Sequence, residues 1–220
     1  MSASTPAPAT LSTHRIEAFS DGVFAIVMTL LVFDLKVPQV QEGLIEIELL
    51  HHLVAMWPQL LSFVLSFVIV GIFWVAHHNM FHHIKRSNRT FIWINNLFLM
   101  CVAFIPFPTA LMGKYVKLPV AVVPYGLSLI VTQASLLLLW WYATSGRRLV
   151  ATDLDPKFIR SVYVRIARGM ATYAAAILLS IASSRLTLAI YALVPVLYII
   201  PNRMDRHLTA HPTTSDATRT

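Results

Sequence analysis

The sequence contains a single cysteine, Cys101, set in an apolar run, so it encodes no disulfide framework and no paired-cysteine redox motif. Charge is also scarce: 12% of residues are Asp, Glu, Lys or Arg, against roughly 25% in an ordinary soluble domain, which excludes a conventional water-soluble fold. The catalytic signatures are missing too. There is no Gly-x-Ser-x-Gly elbow, no Gly-rich phosphate loop and no His-Glu-x-x-His pair, so the sequence reads as no enzyme. Intramembrane proteolysis needs a Ser/His or paired Asp set at membrane depth, and Asp21 has no second buried carboxylate. His78 and His82 have the spacing of two metal ligands on a helix, but no Cys or Glu stands where a third would be needed. No metal site is assigned, and these histidines read as a solvated helix end.

What the chain has is apolar length. Of its 220 residues, 57% are hydrophobic and the mean hydropathy is positive, the composition of a polytopic membrane protein. The net charge of +7 does not point to nucleic acid, because Lys and Arg lie in short loops between apolar runs rather than on one solvated face. Residues 1–13, rich in Ser, Thr, Ala and Pro, are expected to be mobile. Residues 14–201 form one all-α domain of six predicted spans, and 202–220 a polar tail. The spans predicted are 15–35, 58–76, 91–112, 118–142, 161–183 and 186–200. Pro106 and Pro108 kink the third, and 77–90 forms a basic loop. Six spans put both termini on one side. Counting Lys and Arg gives thirteen on the amino-terminal side against four on the other, so both termini are expected in the cytoplasm. No small-residue cleavage site follows the first apolar run, so that segment is read as retained.

The chain is organised around residues 15–38. As a helix, this stretch puts Phe19, Gly22, Ile26, Thr29 and Phe33 on one stripe, with Leu30 at its edge and a single hydroxyl in an apolar seam. Such a stripe either packs against neighbouring helices or, when copies meet around an axis, lines a narrow pore. Asp21 faces away from the seam, at the depth of Arg15, His77, His78, Asn79, Asn95 and Asn96. That carboxylate either ties the first three helices together in a polar knot or takes part in a proton relay.

Arg15-x-x-x-Phe19-Ser20-Asp21-Gly22 at the start of the first span resembles the signature of the transmembrane protein 175 family, the lysosomal and bacterial potassium channels, in its single-repeat bacterial form. The resemblance implies a homotetramer in the cell membrane whose first helices surround a central pore for potassium ions, in contact with membrane lipid and without a cofactor. It implies a hydrophobic gate at Ile26, with Leu30 and Phe33 as further apolar layers, and a selectivity role for the Thr29 hydroxyl. Arg15, Ser20 and Asp21, with Trp74, His77 and Asn96, become a network that holds the pore helix. Ala25 stands where the animal members carry a Ser, which implies weaker discrimination among ions. No Thr-Val-Gly-Tyr-Gly run is present, and Tyr125-Gly126 stands alone after Pro124, so a carbonyl filter is not expected. A proton-conducting or proton-coupled transporter using Asp21 and the histidines is the competing reading.

Overall fold

A computed structural model describes residues 13–39, 45–180 and 183–199. The terminal segments 1–12 and 200–220, which include nearly all of the expected mobile leader and the whole polar tail, lie outside the described residues, as does part of the acidic loop after Pro38. The described chain is helical: α1 Thr13–Leu30, α2 Ile45–Ala55, α3 Trp57–His83, α4 Arg89–Phe104, α5 Pro106–Lys114, α6 Pro119–Thr144, α7 Pro156–Ser180 and α8 Ser184–Ile199. Among the described residues, five helical stretches are long and apolar enough to cross a membrane: 13–34, 57–83, 89–114, 119–147 and 156–180. The sixth predicted span corresponds to α8. At 16 residues it measures about 24 Å, short of a hydrocarbon core of about 30 Å.

Prolines open α3, α5 and α6, where a missing N–H is harmless, while Pro124 and Pro195 lie inside α6 and α8. The predicted kink in the third span is a break at Ile105, between α4 and α5. There the hydroxyl and the amide of Thr109 both donate to the Ile105 carbonyl, at 2.8 and 3.1 Å, so the interrupted ladder is closed again. Asn88 caps α4, its Oδ1 accepting the Phe91 N–H at 2.9 Å.

The predicted loop 77–90 is mostly helix instead. His77, Met80 and Phe81, three and four residues apart, are all buried, so the apolar face of α3 continues to His83 and leaves only 84–88 as connection. That connection is pinned. Ile84 bridges Val150, and the Lys85 and Arg86 amides donate to the Leu149 carbonyl at 2.8 and 3.3 Å, tying the ends of α3 and α6.

α7 and α8 form an antiparallel hairpin: Thr187 donates to the Ala176 carbonyl at 3.1 Å, and the Tyr173 and Tyr191 rings lie 5.8 Å apart. Tyr191 then packs on α6, 5.4 Å from Tyr125. Gly126 makes that approach feasible, since a Cβ there would sit 2.2 Å from the Tyr191 hydroxyl and 2.9 Å from Ile177. The Tyr125-Gly126 pair is thus a packing joint between helices.

Candidate functional site

α1 and the 3-10 turn Leu31–Asp34 that continues it have two unlike faces. Ser20, Phe24, Val27 and Leu31 recur at steps of three and four and are 0–2% exposed, packed against α3 and α4. Phe19, Ile26, Leu30 and Phe33, on the other side, are 60%, 59%, 44% and 74% exposed. Gly22 and Thr29 are exposed with them, and nothing approaches within 4 Å of a Cβ at Gly22. All six residues of the predicted stripe therefore turn away from the rest of the bundle. Thr29 Oγ1 donates to the Ile26 carbonyl at 2.7 Å. Its proton is committed to the backbone, so on the outward face the hydroxyl offers oxygen lone pairs. That face carries no charge and one hydroxyl in a field of apolar side chains.

The polar knot is resolved into two parts. In the buried part, Ser20 donates to the Ile16 carbonyl at 2.8 Å and accepts from Asn95 Nδ2 at 3.1 Å, while Asn95 Oδ1 lies 2.9 Å from His77 Nε2. The chain has a direction. Because the one Ser20 proton goes to Ile16, Asn95 must present its NH2 to Ser20 and its oxygen to His77, which fixes the proton on Nε2. His77 is held flat as well, stacked on Phe81 at 4.2 Å and on Phe98 at 5.5 Å with 8° between the planes. The place in the network expected of Asn96 is taken by Asn95. α4 is rotated so that Asn95 is fully buried, while Asn96 is half-buried and makes no side-chain hydrogen bond among the described residues.

In the outer part, Trp74 Nε1 donates to Asp21 Oδ1 at 2.8 Å, and the Trp74 ring stacks on His78 at 5.8 Å. Arg15 is exposed, and no ion pair with Asp21 occurs among the described residues. The signature is therefore divided. Ser20 fastens α1 inward and Asp21 fastens it sideways, while Phe19 and Gly22 belong to the outward stripe.

Sequence reasoning missed a second buried polar cluster. Ser66 Oγ lies 2.8 Å from Thr109 Oγ1 and 3.0 Å from the Tyr125 hydroxyl, joining α3, α5 and α6 beside the helix break. The only sequence signal was a Thr four residues past an Ile-Pro step, the position that can close the freed carbonyl. His83 stacks on Phe158 at 4.4 Å, and its Nδ1 lies 2.9 Å from the Asn79 carbonyl oxygen. No group of three or more His, Cys, Asp or Glu able to hold a metal occurs among the described residues.

Residues 15–106 match the family described as "Endosomal/lysosomal potassium channel TMEM175". A potassium channel of Streptomyces collinus is 38% identical over 189 residues, covering 84% of this chain and 90% of that protein. The crystal structure of a lysosomal potassium-selective channel TMEM175 homolog from Chamaesiphon minutus superposes with a TM-score of 0.74 at 34% identity, over 84% of this chain and 95% of that one. The mouse endosomal/lysosomal proton channel TMEM175 is 43% identical over 104 residues, a stretch that spans 21% of its length. With its signature intact and one relative matched along nearly its whole length, the chain belongs to the TMEM175 family.

Proposed function

We propose that this chain is the subunit of a potassium channel that assembles as a homotetramer, with α1 of each subunit lining a central pore. One observation carries the reading. The face of α1 bearing Phe19, Gly22, Ile26, Thr29, Leu30 and Phe33 is left uncovered by its own bundle, although the opposite face is among the most deeply buried surfaces of the subunit. One helix encloses nothing, so copies around a closed axis are the economical way to give that face a partner. The potassium channel names of the Streptomyces and Chamaesiphon relatives support conduction as the purpose of the arrangement.

In this reading Ile26, Leu30 and Phe33 form successive apolar rings that exclude water when narrow, and opening widens or rotates α1 until the column is wet again. Discrimination rests on the cost of shedding hydration, which is smaller for potassium than for sodium, so the preference is modest. The Thr29 oxygens, polarised by donating to Ile26, replace part of the lost shell. No cofactor is required, and the ions in the pore are the cargo. α8 serves as a sixth, tilted crossing, and residues 14–201 act as one unit. The distribution of Lys and Arg supports both termini in the cytoplasm of a cell-membrane protein.

The proton reading is supported by the name of the mouse relative. In this chain Asp21 is bonded to Trp74 and His77 to Asn95, so no hydrogen-bonded path among the described residues joins the two. Potassium conduction is the better account.

The test is a cysteine placed at Ile26 in a Cys101→Ser background, reconstituted in liposomes loaded with potassium. Potassium efflux with unitary currents is expected, and a water-soluble thiol reagent should abolish it. Labelling of that cysteine only by a lipophilic reagent would place Ile26 against lipid and end the pore account.

A further inference from the structure

Where the chain passes from α6 to α7, an open cleft of about 920 Å3 lies between the end of α6 and the opening turns of α7. Two guanidinium groups line it, Arg147 from the connection and Arg160 from α7, and no carboxylate lines it among the described residues. Asp153 and Asp155 stand in the same connection, both exposed. Asp155 is occupied in capping α7, its Oδ1 accepting the Lys157 N–H at 2.8 Å. The hydroxyls of the cleft are occupied as well. Thr144 donates to the Trp140 carbonyl at 2.8 Å, so its 3.0 Å contact with Tyr163 takes the Tyr163 proton. The side chains of the cleft therefore offer an incoming group guanidinium donors alone.

Arg147 is placed there by the backbone. It and Gly146 both have positive φ, +52° and +59°, a conformation that residues with a Cβ seldom adopt. One of its N–H groups donates to the Thr152 carbonyl, so side chain and turn hold each other. Arg160 is exposed and enters no hydrogen bond or ion pair among the described residues. Two guanidiniums without a carboxylate suit a phosphate group, which each can meet with a planar fork of donors.

The surroundings say what carries that phosphate. Trp141, 50% exposed, and Tyr142 end α6 just before the cleft, and such aromatics sit at headgroup level. From Arg160 an uncovered stripe continues along α7. Val164, Ala167, Ala171, Ala174 and Leu178 recur at steps of three and four and are all exposed. From Val164 to Leu178 this stripe runs about 21 Å, more than half of a hydrocarbon core of about 30 Å, and its alanines leave room for a chain lying against the helix. We propose that cleft and stripe together bind one anionic phospholipid, its phosphate held by Arg147 and Arg160 and an acyl chain laid along Val164–Leu178. A free phosphate would use the cleft and ignore the stripe.

The experiment uses the full chain in a nonionic detergent and native mass spectrometry with phosphatidylglycerol and phosphatidylcholine of identical acyl chains. Saturable binding is expected, at least fivefold tighter for phosphatidylglycerol. Arg160→Gln, and Arg147→Asn, whose side chain tolerates positive φ, should each reduce that preference at least threefold. Arg148→Gln removes the same charge from a side chain lying over the Tyr142 ring and should leave the preference within twofold. Should Arg147→Asn fail to fold, Arg160→Gln carries the comparison. Ala171→Trp should weaken both lipids several-fold by filling the stripe, and a hundredfold excess of inorganic phosphate should displace neither. Equal binding of the two lipids, or an equal loss in Arg148→Gln, would reduce the site to diffuse surface charge and overturn the proposal. Displacement by inorganic phosphate would overturn it in favour of a free anion, and an Ala171→Trp variant altered in oligomer size but not in lipid affinity would overturn it in favour of a second copy on α7. Binding is read without any current, so it stands or falls apart from the channel account.

Discussion

Replacing Asn95 tests how α1 is anchored, because this one side chain joins His77 on α3 to Ser20 on α1. Asn95→Ala removes two buried hydrogen bonds, each worth roughly 0.6–1 kcal/mol in a membrane bundle. It also orphans the His77 Nε2–H, which is enclosed by the Phe24, Phe81 and Phe98 rings, at a further cost of about 1–3 kcal/mol. The sum, about 2–5 kcal/mol per chain, corresponds to a drop of roughly 5–20 °C in the unfolding midpoint for a chain of this size. Asn96→Ala, one residue on and without a side-chain bond among the described residues, should stay within about 0.5 kcal/mol of the parent. The assay is thermal unfolding of the purified protein in one detergent, followed by the loss of its folded size-exclusion peak. Because a bond costs most when only one partner is deleted, Asn95→Leu combined with His77→Phe should recover at least half of the loss seen in Asn95→Leu alone. Equal midpoints for Asn95→Ala and Asn96→Ala, or a double variant no better than the single, would refute the reasoning.

Thr29→Ala should lower the potassium-to-sodium preference several-fold while leaving assembly intact, read as the reversal potential in mixed ions. An unchanged potential removes the role given to that oxygen. In the proposed pore Ile26→Asn should raise conductance by wetting the ring assigned to Ile26, and currents equal to the parent's would exclude Ile26 as the constriction. Asp21→Ala deletes the acceptor of Trp74 and should reduce the yield of assembled protein on gel filtration before it alters permeation; normal assembly with changed selectivity would favour the relay. Gly126→Ala drives a methyl group into Tyr191 and Ile177, so a loss of about 1–3 kcal/mol is expected in the same unfolding assay, and a neutral result would contradict the packing described.

The outward stripe of α1 was legible because helical periodicity acts on every residue of a segment at once, and Phe19, Gly22, Ile26, Thr29 and Phe33 obey it together. The break at Ile105 was legible for a local reason as well: Pro106 cannot donate into a helical ladder. The choice between Asn95 and Asn96 was not. It depends on the rotation of α4, which is set by packing Phe91, Phe98 and Val102 against other helices, and adjacent residues differ by about 100° around a helix. The cluster of Ser66, Thr109 and Tyr125 was hidden because its members lie 43 and 59 residues apart from Ser66 and meet only once three helices have docked. The helical state of His77–His83 was missed because four histidines read as polar, whereas the buried Met80 and Phe81 between them govern the conformation.

The pairing of Ile84 with Val150, and of the two following amides with Leu149, bears on how the protein can be engineered. Short connections between membrane helices are usually chosen for inserted tags because they tolerate added length. Here an extra residue between 84 and 88 would slide one long helix against another and carry His77 out of register with Asn95.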